Sequence, residues 1–382
     1  MTLYGNVDIG YGSAKTQNGN GSAVEKTSGV MDGVHMPNCI GFRGTEDLGG
    51  GLRAGFVLEQ GISPTSADGF NVRAGSSAHQ VPAGGAFVRT NNRASNIWLG
   101  GGFGEVRIGT MNRATYTVVS RAIVLAENYG SEQHGLIATT RTTAIQYQSP
   151  TMNGVTVQVQ HGAPHGARTD RESPADAADG FRRNKETITA INLQYSQGPF
   201  YLGAAYESTK NLKTGNSTVL GTLNNATAGG AAINVPTATN LYGATVSNGT
   251  SVAARTEKAW ALAAQYDLGV ARVNLTHGNR DNGGTSGTGG TLSEITATGY
   301  SIAVPMGALT LSLHGVQAET KTAGAKTADV KGWAVGAKYD LSKRTYAYAW
   351  NGQDKDRLGS ATSTSSLIAK RTRTMVGVGH AF

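Results

Sequence analysis

Apolar and polar residues alternate with a period of two from one end of the chain to the other. In Leu3–Ile9, apolar or small residues at odd positions alternate with Tyr4, Asn6 and Asp8, and the same pattern runs through Val155–Gln160. This alternation predicts β-strands with one apolar face and one polar face. No long segment carries the apolar stripe of an amphipathic helix, so the pattern predicts an all-β protein.

Short turns and long polar segments alternate between these strands. The short turns lie at residues 46–51, 100–104, 149–154, 197–199, 267–269, 305–308 and 340–344. The long segments fall near residues 13–35, 64–86, 112–140, 165–184, 210–253, 282–293, 320–329 and 355–370. Seven short turns between eight long loops predict about sixteen antiparallel strands, an even number with the short turns on one rim, as in bacterial outer-membrane barrels.

The composition agrees with a barrel that crosses a membrane. The chain has 382 residues, of which 54 are Gly and 15% are charged, and no run approaches the apolar length of a membrane helix. A soluble domain usually carries about 25% charged residues and about 7% Gly. In lipid, strands satisfy their backbone hydrogen bonds only as a closed barrel. We therefore predict one domain, residues 1–382, folded as a 16-stranded antiparallel transmembrane β-barrel.

Aromatic residues gather where the strands meet the short turns, which is typical of the girdle at a membrane interface. The aromatic residues in question are Tyr147, Tyr195, Phe200, Tyr266, Tyr339, Tyr346 and Tyr348. Each of them could also be an ordinary strand residue, but the alternation of turns and loops favours the girdle.

Charge and cysteine content limit the partners. The formal net charge of +8 is scattered, without the basic patch and interleaved aromatics of a nucleic-acid surface, so we expect no nucleic acid and keep anionic solutes as a partner class. Cys39 is the single cysteine, which excludes an intrachain disulfide.

The histidines lack metal-ligand spacing, so no metal or cofactor is expected. The chain begins without the segments of a secretory signal, which we expect to have been removed.

Several stretches together form a distinctive pattern: Thr2–Asp8, Gly41–Leu52, Leu99–Gly109, Tyr339–Thr345 and the terminal His380–Phe382. They resemble the general porins of β-proteobacteria, a family of trimeric outer-membrane proteins that includes anion-selective members. They are spread over the whole chain, whereas the loops between them are not similar enough to use. The resemblance implies a sixteen-stranded barrel whose long third loop, about residues 110–140, folds inward and narrows the pore.

The resemblance also implies what the protein does and where. It implies passive diffusion of small hydrophilic solutes through the bacterial outer membrane, with no enzymatic reaction. The expected partners are two further copies in a homotrimer, outer-membrane lipid and lipopolysaccharide, the permeating solutes, and the barrel-assembly machinery, for which the C-terminal Phe382 would be the recognition signal.

Functional residues of a passive pore are lumen charges whose field selects ions. Anion-selective members of the family carry an arginine cluster at the narrowest point. Its first position falls here on Cys39, its second on Arg93, and its third on Thr140, beside Arg141. The predicted constriction residues are Arg43, Arg93 and Arg141, with Glu127 or Glu132 of the third loop opposite. Arg113 and Arg121 of the same loop could replace these arginines.

Strand parity gives further residues that line the lumen. These residues are Cys39, Arg53, Arg107, Arg272 and Lys338. Arg93 falls on the lipid-side parity of a regular strand, so an inward position requires a strand end or a bulge. Cys39 is either a thiol open to modification or a small neutral replacement without a role. The net charge of +8 favours a weak preference for anions.

Three other functions remain open. A substrate-specific channel would differ by a binding site in the lumen. A barrel enzyme is disfavoured because the chain has no nucleophile elbow or other catalytic signature. An adhesin would use the long segment 210–253, whose Asn, Ala, Thr and Gly content is more typical of a flexible surface cover.

Overall fold

A computed structural model describes residues 1–18, 24–33, 35–65, 92–122, 141–163, 187–212, 255–281, 293–356 and 368–382. These residues form a single sheet of 17 strand segments and one short helix, α1, at Ala114–Ser120. The first nine strands are β1 Thr2–Asn18, β2 Val24–Asp32, β3 Cys39–Gly49, β4 Leu52–Gly61, β5 Asn92–Gly101, β6 Gly104–Asn112, β7 Arg141–Gln148, β8 Val155–Ala163 and β9 Thr187–Gln197. The remaining strands are β10 Phe200–Leu212, β11 Arg255–Asp267, β12 Arg272–Asp281, β13 Ser293–Met306, β14 Leu309–Thr322, β15 Ala325–Asp340, β16 Thr345–Asp356 and β17 Ile368–Ala381.

The sheet closes on itself, because the first strand pairs with the last. Each strand is antiparallel to its neighbours, and β1 pairs with β17 from Asn6 to Asn18. The strands β2 and β3 both pair with β1, one along each half, and so share one position in the wall. The architecture is therefore a closed 16-stranded antiparallel barrel, as the sequence predicts.

The period-two pattern sorts side chains between the two surfaces of this wall. In β9, the apolar Ile191 and Leu193 are about half exposed on the outside, whereas Asn192 and Gln194 are buried inside. Exposed Leu, Ile, Val, Tyr and Phe side chains recur around the outer surface. An apolar exterior around a polar interior is the arrangement that suits a barrel in lipid.

Two of the predicted long loops are wrong, because paired strands replace them. Within 13–35, β1 and β2 stay in register up to Gln17 opposite Val24. Within 320–329, β14 and β15 extend to a two-residue turn at Ala323 and Gly324, both at positive φ as in a type I′ hairpin. Apolar alternation ends in these segments while the backbone ladder continues, so hydrophobicity alone underestimates the strands.

The predicted aromatic girdle needs one correction. Tyr147, Phe200 and Tyr339 are indeed exposed on the outer surface. Tyr346 and Tyr348, however, are 7% and 5% exposed and turn into the barrel, where their hydroxyls donate to the carboxylate of Asp8. A tyrosine near a short turn lies outside or inside according to its parity in the strand.

Glycines opposite aromatic residues account for part of the high glycine content. In each of these pairs the ring lies over the glycine of the neighbouring strand, so that a Cβ there would meet ring atoms at 2.1–2.6 Å. The pairs are Tyr4–Gly41, Phe56–Gly44, Trp98–Gly55, Tyr300–Gly315, Tyr346–Gly379, Tyr348–Gly377 and Phe382–Gly5. A ring that covers a cross-strand glycine packs against its backbone and pins the register.

The Phe382–Gly5 pair lies at the seam where the barrel closes. The two residues exchange backbone hydrogen bonds of 3.1 Å in both directions. A Cβ on Gly5 would lie 2.3 Å from the Phe382 ring and 2.6 Å from the carbonyl oxygen of Cys39, which is backbone and cannot rotate away.

We expect Gly5→Val to destabilise the folded barrel by about 1–3 kcal/mol through overpacking at this seam. Gly102→Val is the matched control, because a Cβ on Gly102 meets no atom within 4 Å. Urea unfolding in detergent micelles, followed by the mobility shift between folded and unfolded barrel on electrophoresis, measures both variants. Equal midpoints for the two variants would show that the seam tolerates a side chain.

Candidate functional site

The third loop turns into the barrel as soon as β6 ends. Its helix α1 lies against the inner wall formed by β9, β10 and β11, with Ala114 and Val118 fully buried. The wall is built of small residues at this place, among them Ala190, Ala205 and Ala263, which leave room for the helix. The described start of the third loop, residues 113–122, therefore folds inward, as the family resemblance implies.

Polar contacts fasten the far end of α1 to the wall. The hydroxyl of Tyr201 donates to the carbonyl oxygen of Val118 at 3.2 Å. The guanidinium of Arg121 stacks 4.8 Å from the centre of the Tyr201 ring, within cation–π range. The amide of Gln265 donates to the carbonyl oxygen of Arg121 at 3.1 Å. Arg121, an alternative candidate for the constriction, thus helps to hold the loop.

A buried ion pair anchors the near end. Arg113 is 3% exposed, and its guanidinium lies 3.6 Å from the carboxylate of Glu207 and donates to the hydroxyl of Thr209 at 2.8 Å. The backbone N–H of Thr115 donates to the same carboxylate at 3.4 Å. Arg113, the other alternative candidate, is therefore occupied in attaching the loop to β10.

A bulge in β5 places Arg93 beside the inner wall. Across β4 and β5, Leu58 is opposite Ser95 and Gln60 is opposite Asn92, so two residues of β5 face Glu59 alone. The extra residue shifts the parity at this point. The guanidinium of Arg93 forms an ion pair with the carboxylate of Glu59. The bulge that an inward Arg93 requires is thus present.

Cys39 lies at the centre of this charged region. Its side chain is 7% exposed, and the charges that act on its thiol are those of Glu59, Arg93 and Arg141. Arg141 is the first residue of β7, directly after the third loop. The fold thus brings together Cys39, Arg93 and Arg141, three of the residues singled out from the sequence.

Arg43 is connected to this cluster through Tyr4. The Tyr4 hydroxyl donates to Glu59 at 3.0 Å, and the guanidinium of Arg43 lies 5.2 Å from the centre of the Tyr4 ring. Arg43 is four residues along β3 from Cys39 towards the short turn, a distance of about 13 Å in a strand. Arg43 is therefore exposed below the cluster rather than within it.

The other residues predicted to line the lumen divide into two groups. Arg107 lies on the inner wall with its guanidinium 2.6 Å from Glu105, and Lys338 lies 2.6 Å from Asp340. Arg53 and Arg272 are exposed at strand ends beside the short turns. The other two predicted constriction residues, Glu127 and Glu132, lie outside the described residues.

The sequence interpretation missed three acidic residues that organise the lumen. Glu59 holds Arg93, Glu207 holds Arg113, and Asp8 is fully buried beneath Tyr346 and Tyr348. Parity counted from Arg53 along β4 would have placed Glu59 inward. The partners of Asp8 and Glu207 are distant in sequence, so no local pattern indicates them.

The described part of the chain contains no cluster of three or more His, Cys, Asp or Glu side chains that could hold a metal ion. Within the same residues, no helix is long and apolar enough to span a membrane.

A closed barrel with an apolar outside, a polar lumen and an inward third loop defines the class of β-barrel channels. The chain belongs to the Gram-negative porin family, whose sequence profile matches residues 1–357. Membership in this family identifies the chain as a porin of the bacterial outer membrane, and it excludes the alternative of a barrel enzyme.

Individual proteins agree with this assignment. The major outer membrane protein P.IB of Neisseria meningitidis is 28% identical over 218 residues, which are 54% of each chain, so the match spans about half the length of that relative. An anion-selective porin from Comamonas acidovorans has a similar fold, with a TM-score of 0.67, 19% identity and coverage of 100% of this chain and 99% of that one. The trimer form of OmpT, an outer membrane protein of Vibrio cholerae, has a TM-score of 0.62 at 12% identity, covering 100% and 98%.

The buried pair at the root of the third loop yields a prediction. Glu207→Ala leaves the Arg113 guanidinium buried without its carboxylate, at a cost of about 3–5 kcal/mol. We expect the loop to detach from the wall while the barrel stays folded. Single-channel recordings should then show greater open-channel noise and a changed conductance.

The double variant Arg113→Met/Glu207→Leu is the matched control, because it removes both charges and keeps apolar volume in the site. The open-channel noise and the conductance of this double variant should be close to those of the unmodified protein. Recordings of Glu207→Ala that cannot be distinguished from the unmodified protein would contradict an anchoring role for this pair.

Proposed function

We propose that this chain forms a general-diffusion channel for small hydrophilic solutes and ions across the outer membrane. The observation that carries the proposal is the sorting of side chains by the closed wall, with apolar groups outside and hydrogen-bonded polar groups inside. A water-filled lumen of this kind admits solutes by size and charge and needs no energy source. The whole chain, residues 1–382, acts as one barrel domain in this proposal, with residues 110–140 as its constriction loop.

We further propose a weak preference for anions, set at the cluster around Cys39. Arg93 and Arg141 contribute two positive charges to this cluster and Arg43 adds a third below it, whereas Glu59 contributes one negative charge. An excess of one sign in a narrow passage selects the opposite ion. The anion-selective porin of similar fold supports the sign of this preference. Glu127 or Glu132 would complete the constriction from the loop.

The assembly that we propose is a homotrimer surrounded by outer-membrane lipid and lipopolysaccharide. The trimer form of a protein with the same fold supports three copies. Phe382, whose ring covers Gly5 at the seam of the barrel, is the proposed signal for the barrel-assembly machinery.

Reversal potentials under a salt gradient across a planar bilayer test both the channel and its selectivity. Glu59→Gln keeps an acceptor for the Tyr4 hydroxyl but removes the charge opposite Arg93, so anion preference should rise. A unit charge about 4 Å from an ion changes its energy by about 1 kcal/mol in water, which corresponds to about a fivefold change in the permeability ratio. Arg93→Gln and Arg43→Glu should shift the reversal potential towards cations.

Glu46→Gln is the matched control, because it makes the same charge change on the opposite face of β3 from Arg43 and should leave the potential unaltered. If the reversal potentials of Glu59→Gln and Arg93→Gln equalled that of the unmodified protein, the cluster around Cys39 would not set the selectivity. Saturable block of the current by one class of solute would instead favour the substrate-specific channel.

The mass of the detergent-solubilised protein, measured by light scattering with correction for bound detergent, tests the assembly. We expect three copies of the 39.5 kDa chain in each particle. A particle containing a single copy would contradict the trimer and leave the channel proposal to the electrical measurements.

A further inference from the structure

A short segment between β2 and β3 leaves the barrel wall. On β1, the last residue paired with β2 is Ile9 and the first residue paired with β3 is Asn6, so two residues of β1 lie between them. The residues paired with Ile9 and Asn6 are Asp32 of β2 and Cys39 of β3. Six residues, 33–38, separate these two in the sequence. The surplus chain cannot lie flat in the sheet. Residues His35–Asn38, the inserted segment, fold away from the wall.

The inserted segment lies on the lumen side, because it covers Asp8. This carboxylate is fully buried on the inward face of β1 and accepts the backbone N–H groups of His35 at 3.2 Å and Met36 at 3.1 Å. It also accepts the hydroxyls of Tyr346 at 3.1 Å and Tyr348 at 2.8 Å. Hydrogen bonds to a carboxylate are stronger than those between neutral groups, so Asp8 holds the segment against the wall.

An aromatic stack adds to this attachment. The imidazole of His35 stacks on the Tyr348 ring at a centroid distance of 5.2 Å and contacts the Tyr346 ring at 5.0 Å. Met36, by contrast, keeps 45% of its surface exposed although its backbone is bound to Asp8. Its side chain is therefore accessible, on a segment that lies on the lumen side of the wall.

The position of this segment around the barrel is opposite the third loop. The inserted segment is attached to β1 and β16, whereas α1 is attached to β9, β10 and β11. In the closed order of strands, β1 and β10 are eight positions apart in either direction around the sixteen-position wall. The two inward elements are thus attached to opposite sides of the barrel wall.

We infer that the inserted segment His35–Asn38 is a second constriction element, borne by the wall, which narrows the passage from the side opposite the third loop and presents Met36 to permeating solutes. This inference rests on the proposed channel function. The segment continues directly into Cys39, so it also borders the arginine cluster. Solutes would pass between an apolar methionine and the loop, beside the charges of Arg93 and Arg141.

A single-cysteine experiment tests the inference on the full-length protein. In a Cys39→Ser background, which removes the only native thiol, Met36→Cys is treated with a bulky water-soluble methanethiosulfonate reagent during single-channel recording. We expect each pore to lose part of its conductance on reaction. Met306→Cys is the matched control, because Met306 is similarly exposed, at 47%, but lies at the short-turn end of β13. Its reaction should leave the conductance unchanged.

Asp8→Asn supplies a second measurement in the unlabelled protein. The amide offers one acceptor oxygen in place of two, so the segment should loosen, and larger polyethylene glycols should enter the pore and lower its conductance. Complete labelling of Met36→Cys, verified by mass, with no change in conductance would overturn the inference. Protein that inserts into the bilayer but conducts no ions would instead contradict the proposed function.

Discussion

The constraint on which this structure depends is that no backbone N–H or C=O can remain unpaired in hydrocarbon. A sheet meets it only by closing, and here closure is the pairing of β1 with β17, fixed at its end by the reciprocal bonds of Gly5 and Phe382. Closure divides every strand into a lipid face and a lumen face. Each inward side chain must then find water or a polar partner, so the interior becomes a network of hydrogen bonds and ion pairs rather than an apolar core.

The sequence predicts the part of the fold that follows from this division. A period of two, with short and long connections in alternation, is sufficient for an all-β barrel of sixteen strands. The errors occur where the wall departs from regularity or leaves the lipid. The β14–β15 hairpin continues to Ala323 and Gly324 with polar residues on both faces. Tyr346 and Tyr348 lie near a short turn, as girdle residues do, but their side chains point into the barrel. Their position in the alternation of the strand decides which face they occupy.

The candidate site was predictable only in part, for a related reason. Strand parity alone places the Arg93 side chain on the outer face. The bulge that reverses this orientation depends on the pairing of β5 with β4. Glu59 of β4 then supplies the carboxylate that pairs with Arg93. Arg113 and Arg121 were recognisable as loop charges, but their use as anchors depends on Glu207 and Tyr201, which are about ninety and eighty residues away in sequence. Long-range partners decide which charges of the lumen remain available to an ion.

This pairing also separates the selectivity of the pore from its total charge. An arginine whose charge is matched by a nearby carboxylate, as Arg113 is by Glu207 or Arg280 by Glu257, contributes little field beyond its own surroundings, because the opposite charges cancel at a distance. Arg43 lies over the ring of Tyr4, and the Glu59 carboxylate that pairs with Arg93 also accepts the Tyr4 hydroxyl and acts on the Cys39 thiol. In the proposed selectivity site the charges that act on an ion are therefore those near Cys39, and the scattered remainder of the +8 charge adds little beyond a Debye length of about 8–10 Å.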